Sequence, residues 1–248
     1  MKIPKKISPD RIKNAIIEIR YTSKTPFEIL LGLIYKALDN SYNYVNRPSP
    51  TFAGQQVFEK SGIQIGFGFQ PIFITKNILI QLQPNSISFN CLNNYISWSN
   101  YFPEIEKFLM QIIATNEIEV FNRLGIRYIS EYPNIDLQSC TKFHFSFGMT
   151  EVVSKTYSFK SEFEYNGNKV VLNLHNKLPV LKNISTASDS EIQEISLIDI
   201  DIIKSDISYI STDYQSFLND LNQLHNFENE IFFSILSDSF LATLNPIY

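Results

Sequence analysis

The chain has 248 residues and a formal net charge of −4, with 44% hydrophobic and 19% charged residues, among them 20 Phe and 13 Tyr. That apolar content excludes a disordered polypeptide and is enough for a substantial core, while the acidic balance supplies no global attraction to a phosphate backbone. Apolar runs break well short of the roughly 20 residues that a membrane-spanning helix needs, so no membrane contact is expected.

The order NAIIEIRY places Ile17, Ile19 and Tyr21 on one face and Glu18 and Arg20 on the other, the period of a half-buried strand. Thr25, Pro26 and Glu28 then predict a capped helix start, and Phe27, Leu30, Leu31, Ile34 and Leu38 continue its apolar stripe over 27–40. The stretch SYNYVNRPSPTFAGQQ, rich in Pro, Asn and Ser, predicts a long surface loop; Tyr42, Tyr44 and Arg47 within 42–54 are its candidate partner-binding residues. QVFEK, GIQIGFGFQ, IFITK, ILIQLQ and SISFNCL follow as short strands, with boundaries at Ser61-Gly62, Pro71, Asn77 and Pro84-Asn85. Pro103 and Glu104 open a second helix, over 102–115.

EVFNRLGIRYIS reads as a strand with Val120, Leu124, Ile126 and Tyr128 on one face and Phe121, Arg123, Arg127 and Ile129 on the other. KFHFSFG, TYSFKSEFEY and KVVLNLH alternate likewise, and Asn166-Gly167 marks a two-residue hairpin. NISTASDSE is a loop, SLIDIDIIK a half-exposed strand, and a long helix or helix pair spans 213–243 from a capping pair at Thr212 and Gln215. These elements predict one α+β domain over 1–248, a large antiparallel, meander-like sheet packed by amphipathic helices; a two-lobed division at 1–133 and 134–248 is the alternative.

No P-loop, dinucleotide fingerprint, HExxH, CxxC or GxSxG occurs in the chain, and no cofactor is expected. Arg123 and Arg127 flank Gly125 on one strand face, where two guanidiniums and open backbone suit an anion; Arg20 joins them if the first strand lies alongside. An ion pair with a neighbouring strand is the plainer reading of the same residues. Asp199 and Asp201 point from one strand face and suit a hard cation or a general base, or simply keep the sheet wet and unpaired. His144, His175 and His225 lack ligand spacing, and His225 with Glu228 reads as a local helix pair. Lys5 and Lys6 are not followed by an apolar signal segment, so the chain is expected in the cytoplasm with Cys91 and Cys140 as reduced thiols.

NAIIEIRY, SISFN with Tyr95, Trp98 and Phe102, NRLGIRYI, LIDID, and LNQLH with EIFFSILSD occur in this order along nearly the whole chain. The set resembles a sporadically distributed bacterial family of similar-sized proteins with no assigned activity. The resemblance implies one domain and an accessory, antitoxin, immunity or phage-defence role, and brings no catalytic residues. Three readings follow in order: a non-catalytic binder of a protein partner through a sheet face or edge; a nucleic-acid or nucleotide binder using Arg20, Arg123 and Arg127; and a metal-dependent hydrolase using Asp199 and Asp201.

Overall fold

A computed structural model describes residues 2–51, 66–143, 156–182, 191–210 and 213–248. The elements in chain order are β1 (Ile12–Ser23), α1 (Phe27–Ala37), β2 (Asn43–Thr51), β3 (Gly66–Ile74), β4 (Ile78–Gln83), β5 (Ser86–Cys91), α2 (Trp98–Ile113) and β6 (Ile118–Pro133), followed by α3 (Leu137–Cys140), β7 (Tyr157–Tyr165), β8 (Asn168–Lys182), β9 (Glu191–Lys204), α4 (Tyr214–Ile235) and α5 (Asp238–Thr243). The nine strands form one open antiparallel sheet in the order β2-β3-β4-β5-β1-β6-β9-β8-β7. The fold is α+β and meander-like, as the periodicities predict. Among the described residues no helix is long and apolar enough to cross a membrane.

The β7–β8 hairpin turns at Asn166-Gly167, where φ values of +50° and +74° meet the left-handed requirement of a two-residue turn. Several local expectations are corrected. Residues 43–51 form the sheet-edge strand β2, not a loop; its prolines are tolerated because an edge strand has one side without a ladder to supply. β3 runs through Pro71, which lies just beyond the stretch paired to β4, so its missing N–H interrupts no bond on that side. α2 begins at Trp98 and carries Pro103 inside it, at the loss of one bond back to the Ser99 carbonyl. α1 is capped by Pro26 itself with no side-chain cap, and the Thr25 hydroxyl is buried without a partner. In β6, Phe121 and not Val120 is fully buried, where the strand bridges to Tyr209. QVFEK, most of KFHFSFG, the NISTASDS stretch and Thr212 lie outside the described residues.

The chain forms two compact units: one of Met1–Ile17, Arg123–Ile207 and Gln215–Tyr248, the other of Glu18–Asn122 and Ser208–Tyr214. In the second unit Phe108 of α2 packs edge-on against Phe89 of β5 and is tilted against Phe73 of β3 and Tyr42. In the first, α4 and α5 cover one face of the sheet: His225 meets Tyr128, Phe240 meets Tyr132 and Phe227 meets Tyr165. Ile126, Val170, Leu174, Ile198, Ile200 and Ile202 complete that inner layer and are at most 1% exposed. Strand alternation sends the intervening residues to the opposite, outer face.

Candidate functional site

Register fixes the outer face of β6, β9, β8 and β7 as a grid. Arg127, Asp201, Val171 and Glu162 form one row across it; Ile129, Asp199, Asn173 and Lys160 form the next. Glu131, Leu197, His175 and Ser158 form a third, and Gly125, Ile203, Lys169 and Glu164 a fourth. Apart from Asp199 and Gly125, every one of these residues is half-exposed or exposed.

At the centre, Arg127 reaches diagonally from β6 to Asp199 on β9. Its Nε donates to Oδ1 and its Nη2 to Oδ2, both at 2.8 Å, and Asn173 Nδ2 of β8 donates to Oδ2 at 3.0 Å. Asp199 is only 5% exposed, so both carboxylate oxygens exchange water for fixed donors. Hydrogen bonding to Asp199 holds the Arg127 guanidinium above its ordinary value, with Asp201 adding to it. The arginine and carboxylate candidates are therefore partners: the Nε/Nη2 edge of Arg127 is taken by Asp199, and each Asp199 oxygen already accepts from a fixed donor. Gly125, the predicted open backbone, is buried. Arg20, in the other unit, is exposed and pairs with Glu18 at 3.1 Å. Arg123 is half-exposed on the same strand as Arg127. Among the described residues no three His, Cys, Asp or Glu side chains come together as a metal site.

Tyr42 is buried at 8% exposure beneath Lys107, whose ammonium lies 5.3 Å from the ring, and burial pushes its phenol up to about 12. Tyr44 is 37% exposed, meets Tyr35 edge-on and is tilted against Phe73. Arg47 sits in β2 opposite Gln70. Nearby, an open cleft of ≈ 570 Å³ is lined by residues including Ser41, Lys76, Asn100, Glu104 and Lys107. Lys107 is paired with Asp39 at 2.9 Å and Glu104 accepts from Asn77 at 3.1 Å, so its walls are largely self-neutralised. Cys91 and Cys140 are free thiols, and burial pushes both up.

The inner face holds polar groups that the sequence reading did not bring together. His225 of α4 does not pair with Glu228; its Nε2 accepts from Asn229 Nδ2 at 3.0 Å and its Nδ1 lies 3.1 Å from the Tyr128 hydroxyl. A neutral ring with one acceptor nitrogen carries its proton on the other, so Nδ1–H donates to Tyr128. Desolvation pulls His225 down to about 4. Glu228, 3% exposed, is pushed up to about 8 by burial, and burial likewise raises the Tyr132 phenol. Both side chains are uncharged at neutral pH. The signal for Glu228 was present in its spacing, since it falls on the stripe Leu221, Leu224, Ile231 where an apolar residue belongs.

No family model matches the chain, and no match is found among curated proteins.

Proposed function

We propose that the protein is a non-catalytic binding module that engages a protein partner through the outer face of β6, β9, β8 and β7. The observation that carries this is the composition of that face: half-exposed Ile129, Val171, Leu197 and Ile203 surround an arginine–carboxylate–amide network already fixed in geometry. Aliphatic surface around a preorganised arginine is what the centre of a protein interface uses, because little side-chain entropy remains to be lost on docking. Nucleic acid is less suited to it, since Asp199 already neutralises the Arg127 charge and the net charge of the chain is −4. By the family resemblance, the partner belongs to a bacterial defence, antitoxin or immunity system and is met in the cytoplasm.

Purification of the tagged protein from its native cells tests this. Wild type and Gln223→Arg, a like-charged change on the exposed side of α4, are expected to retain one stoichiometric protein, and Val171→Arg to lose it with an unchanged melting temperature. Recovery of no stoichiometric protein, or equal recovery with Val171→Arg, would overturn the reading.

A further inference from the structure

α1 buries Leu30 and Ile34 against the body of its unit and turns its other side outward. At the helical period Glu28, Ile29, Gly32, Leu33, Tyr35 and Lys36 fall on that outward side. All six are exposed, Ile29 to 54%, Leu33 to 37% and Tyr35 to 60%. Single apolar residues at a surface are ordinary, but three on one short helix face form a patch of the kind that another molecule covers. Gly32, at the centre of this face, is the second anomaly, because glycine is among the least favourable residues inside a helix. A Cβ added there meets nothing within 4 Å, so no contact within the chain calls for its absence. Close approach of another backbone does call for it.

The face is complementary to itself about that glycine. Ile29, Gly32 and Tyr35 form a row at i, i+3 spacing, and Glu28, Gly32 and Lys36 form a row at i, i+4 spacing that crosses it at Gly32. A second α1 laid antiparallel, with a two-fold axis along the first row, brings Ile29 to Ile29, Gly32 to Gly32 and Tyr35 to Tyr35. The same operation sets Glu28 of each copy against Lys36 of the other, at both ends of the second row. Within one chain neither Glu28 nor Lys36 has an ion pair among the described residues, so both charges remain available. Tyr35 meets Tyr44 edge-on, at the end of β2 distant from Thr51, and still keeps most of its surface exposed.

We propose that the outward face of α1 is a self-association surface, and that two copies of the chain join by antiparallel α1–α1 packing with Gly32 at the crossing point. Opposite charges placed at both ends by one face acting on itself select a second copy of this chain as the occupant. A helix of 11 residues is only ~16 Å long, so the interface is small and the dimer belongs to the weak, concentration-dependent class. This goes beyond the partner-binding reading and does not depend on it, since α1 belongs to the other compact unit.

Sedimentation velocity of the full chain over a concentration series reaching roughly 1 mM is expected to find a monomer–dimer equilibrium. Gly32→Gln puts a better helix former at the crossing point, so the variant is expected to melt at or above the wild-type temperature and yet to dimerise about tenfold or more weakly. Those opposite movements are what a purely structural glycine would not give. Glu28→Lys and Lys36→Glu are each expected to weaken the dimer about fivefold, and an equimolar mixture of the two to recover it. In the mixed pair the two introduced charges face each other at one end, and the native Glu28 of one copy faces the native Lys36 of the other at the second end. A wild-type monomer at every concentration, a dimer indifferent to Gly32→Gln, or a mixture no stronger than its components would each overturn the proposal.

Discussion

The two faces of β6 treat polar side chains in opposite ways. On the outer face Arg127 stays charged and is matched by a full counter-charge from Asp199, in a network of three hydrogen bonds of 2.8 to 3.0 Å that Asn173 completes. On the inner face, one residue along the strand, Tyr128 meets His225, and the His225 and Glu228 side chains of α4 are held neutral by burial. The difference is solvent access. Arg127 keeps 43% of its side chain exposed and pays little desolvation, so pairing can stabilise the ionised forms. Glu228 is only 3% exposed, and dropping the charge is the lower-energy outcome.

The largest consequence is a pH dependence opposite to that of ordinary carboxylates. Folded Glu228 keeps its proton until about 8, whereas the unfolded chain releases it near 4.5, so its penalty grows as pH rises between those values. His225 has the reverse sign: its neutral form is favoured in the fold, and stability falls as pH drops from 6.5 toward about 4. Between about 4.5 and 6.5 the two slopes oppose each other, and above 6.5 Glu228 acts alone. Urea denaturation of wild type and Glu228→Gln over this range is expected to give stabilities that agree near pH 4.5 and separate by on the order of 3 kcal/mol by pH 8, with the variant more stable. Within the lower window the variant also shows the bare His225 slope of about 1.4 kcal/mol per pH unit. Parallel curves would mean that Glu228 is ionised in the fold and that the contrast between the faces fails.

A smaller effect separates the partners on the outer face. Arg127→Ala leaves Asp199, 7% exposed in its side chain, with Asn173 as its remaining donor and is expected to cost about 2 kcal/mol. Asp199→Ala leaves a guanidinium that water can reach and is expected to cost about half as much. Thermal denaturation at neutral pH orders the two, and the reverse order would place the solvent-starved end of the pair at Arg127.

Legibility in the sequence followed the same physical division. The alternating strand at 198–202 and the hairpin turn at 166–167 were readable because burial on one face and a left-handed turn each leave a local signature. Pro48, Pro50, Pro71 and Pro103 misled because proline's cost depends on whether a neighbour needs its N–H, which is tertiary information. Arg127 and Asp199 were each singled out, yet their union depended on β9 pairing with β6 across 72 residues of sequence. Asn173 and Asn229 carried no signal of their own, since an amide becomes informative only once its acceptor is known.

The smallest test addresses how the inner face keeps His225 neutral. Tyr128 brings a hydroxyl to the half-buried His225 ring, with centroids 5.9 Å apart in an edge-on arrangement. Tyr128→Phe preserves the aromatic packing and removes only the acceptor for Nδ1–H, which should cost about 1 kcal/mol. Ring-nitrogen NMR supplies the sharper reading: wild type is expected to hold the Nδ1–H tautomer, because Asn229 donates to Nε2, and the variant to lose that strict preference. A variant with an unaltered tautomer and stability would assign the whole orientation of His225 to Asn229, leaving β6 to supply only an apolar wall.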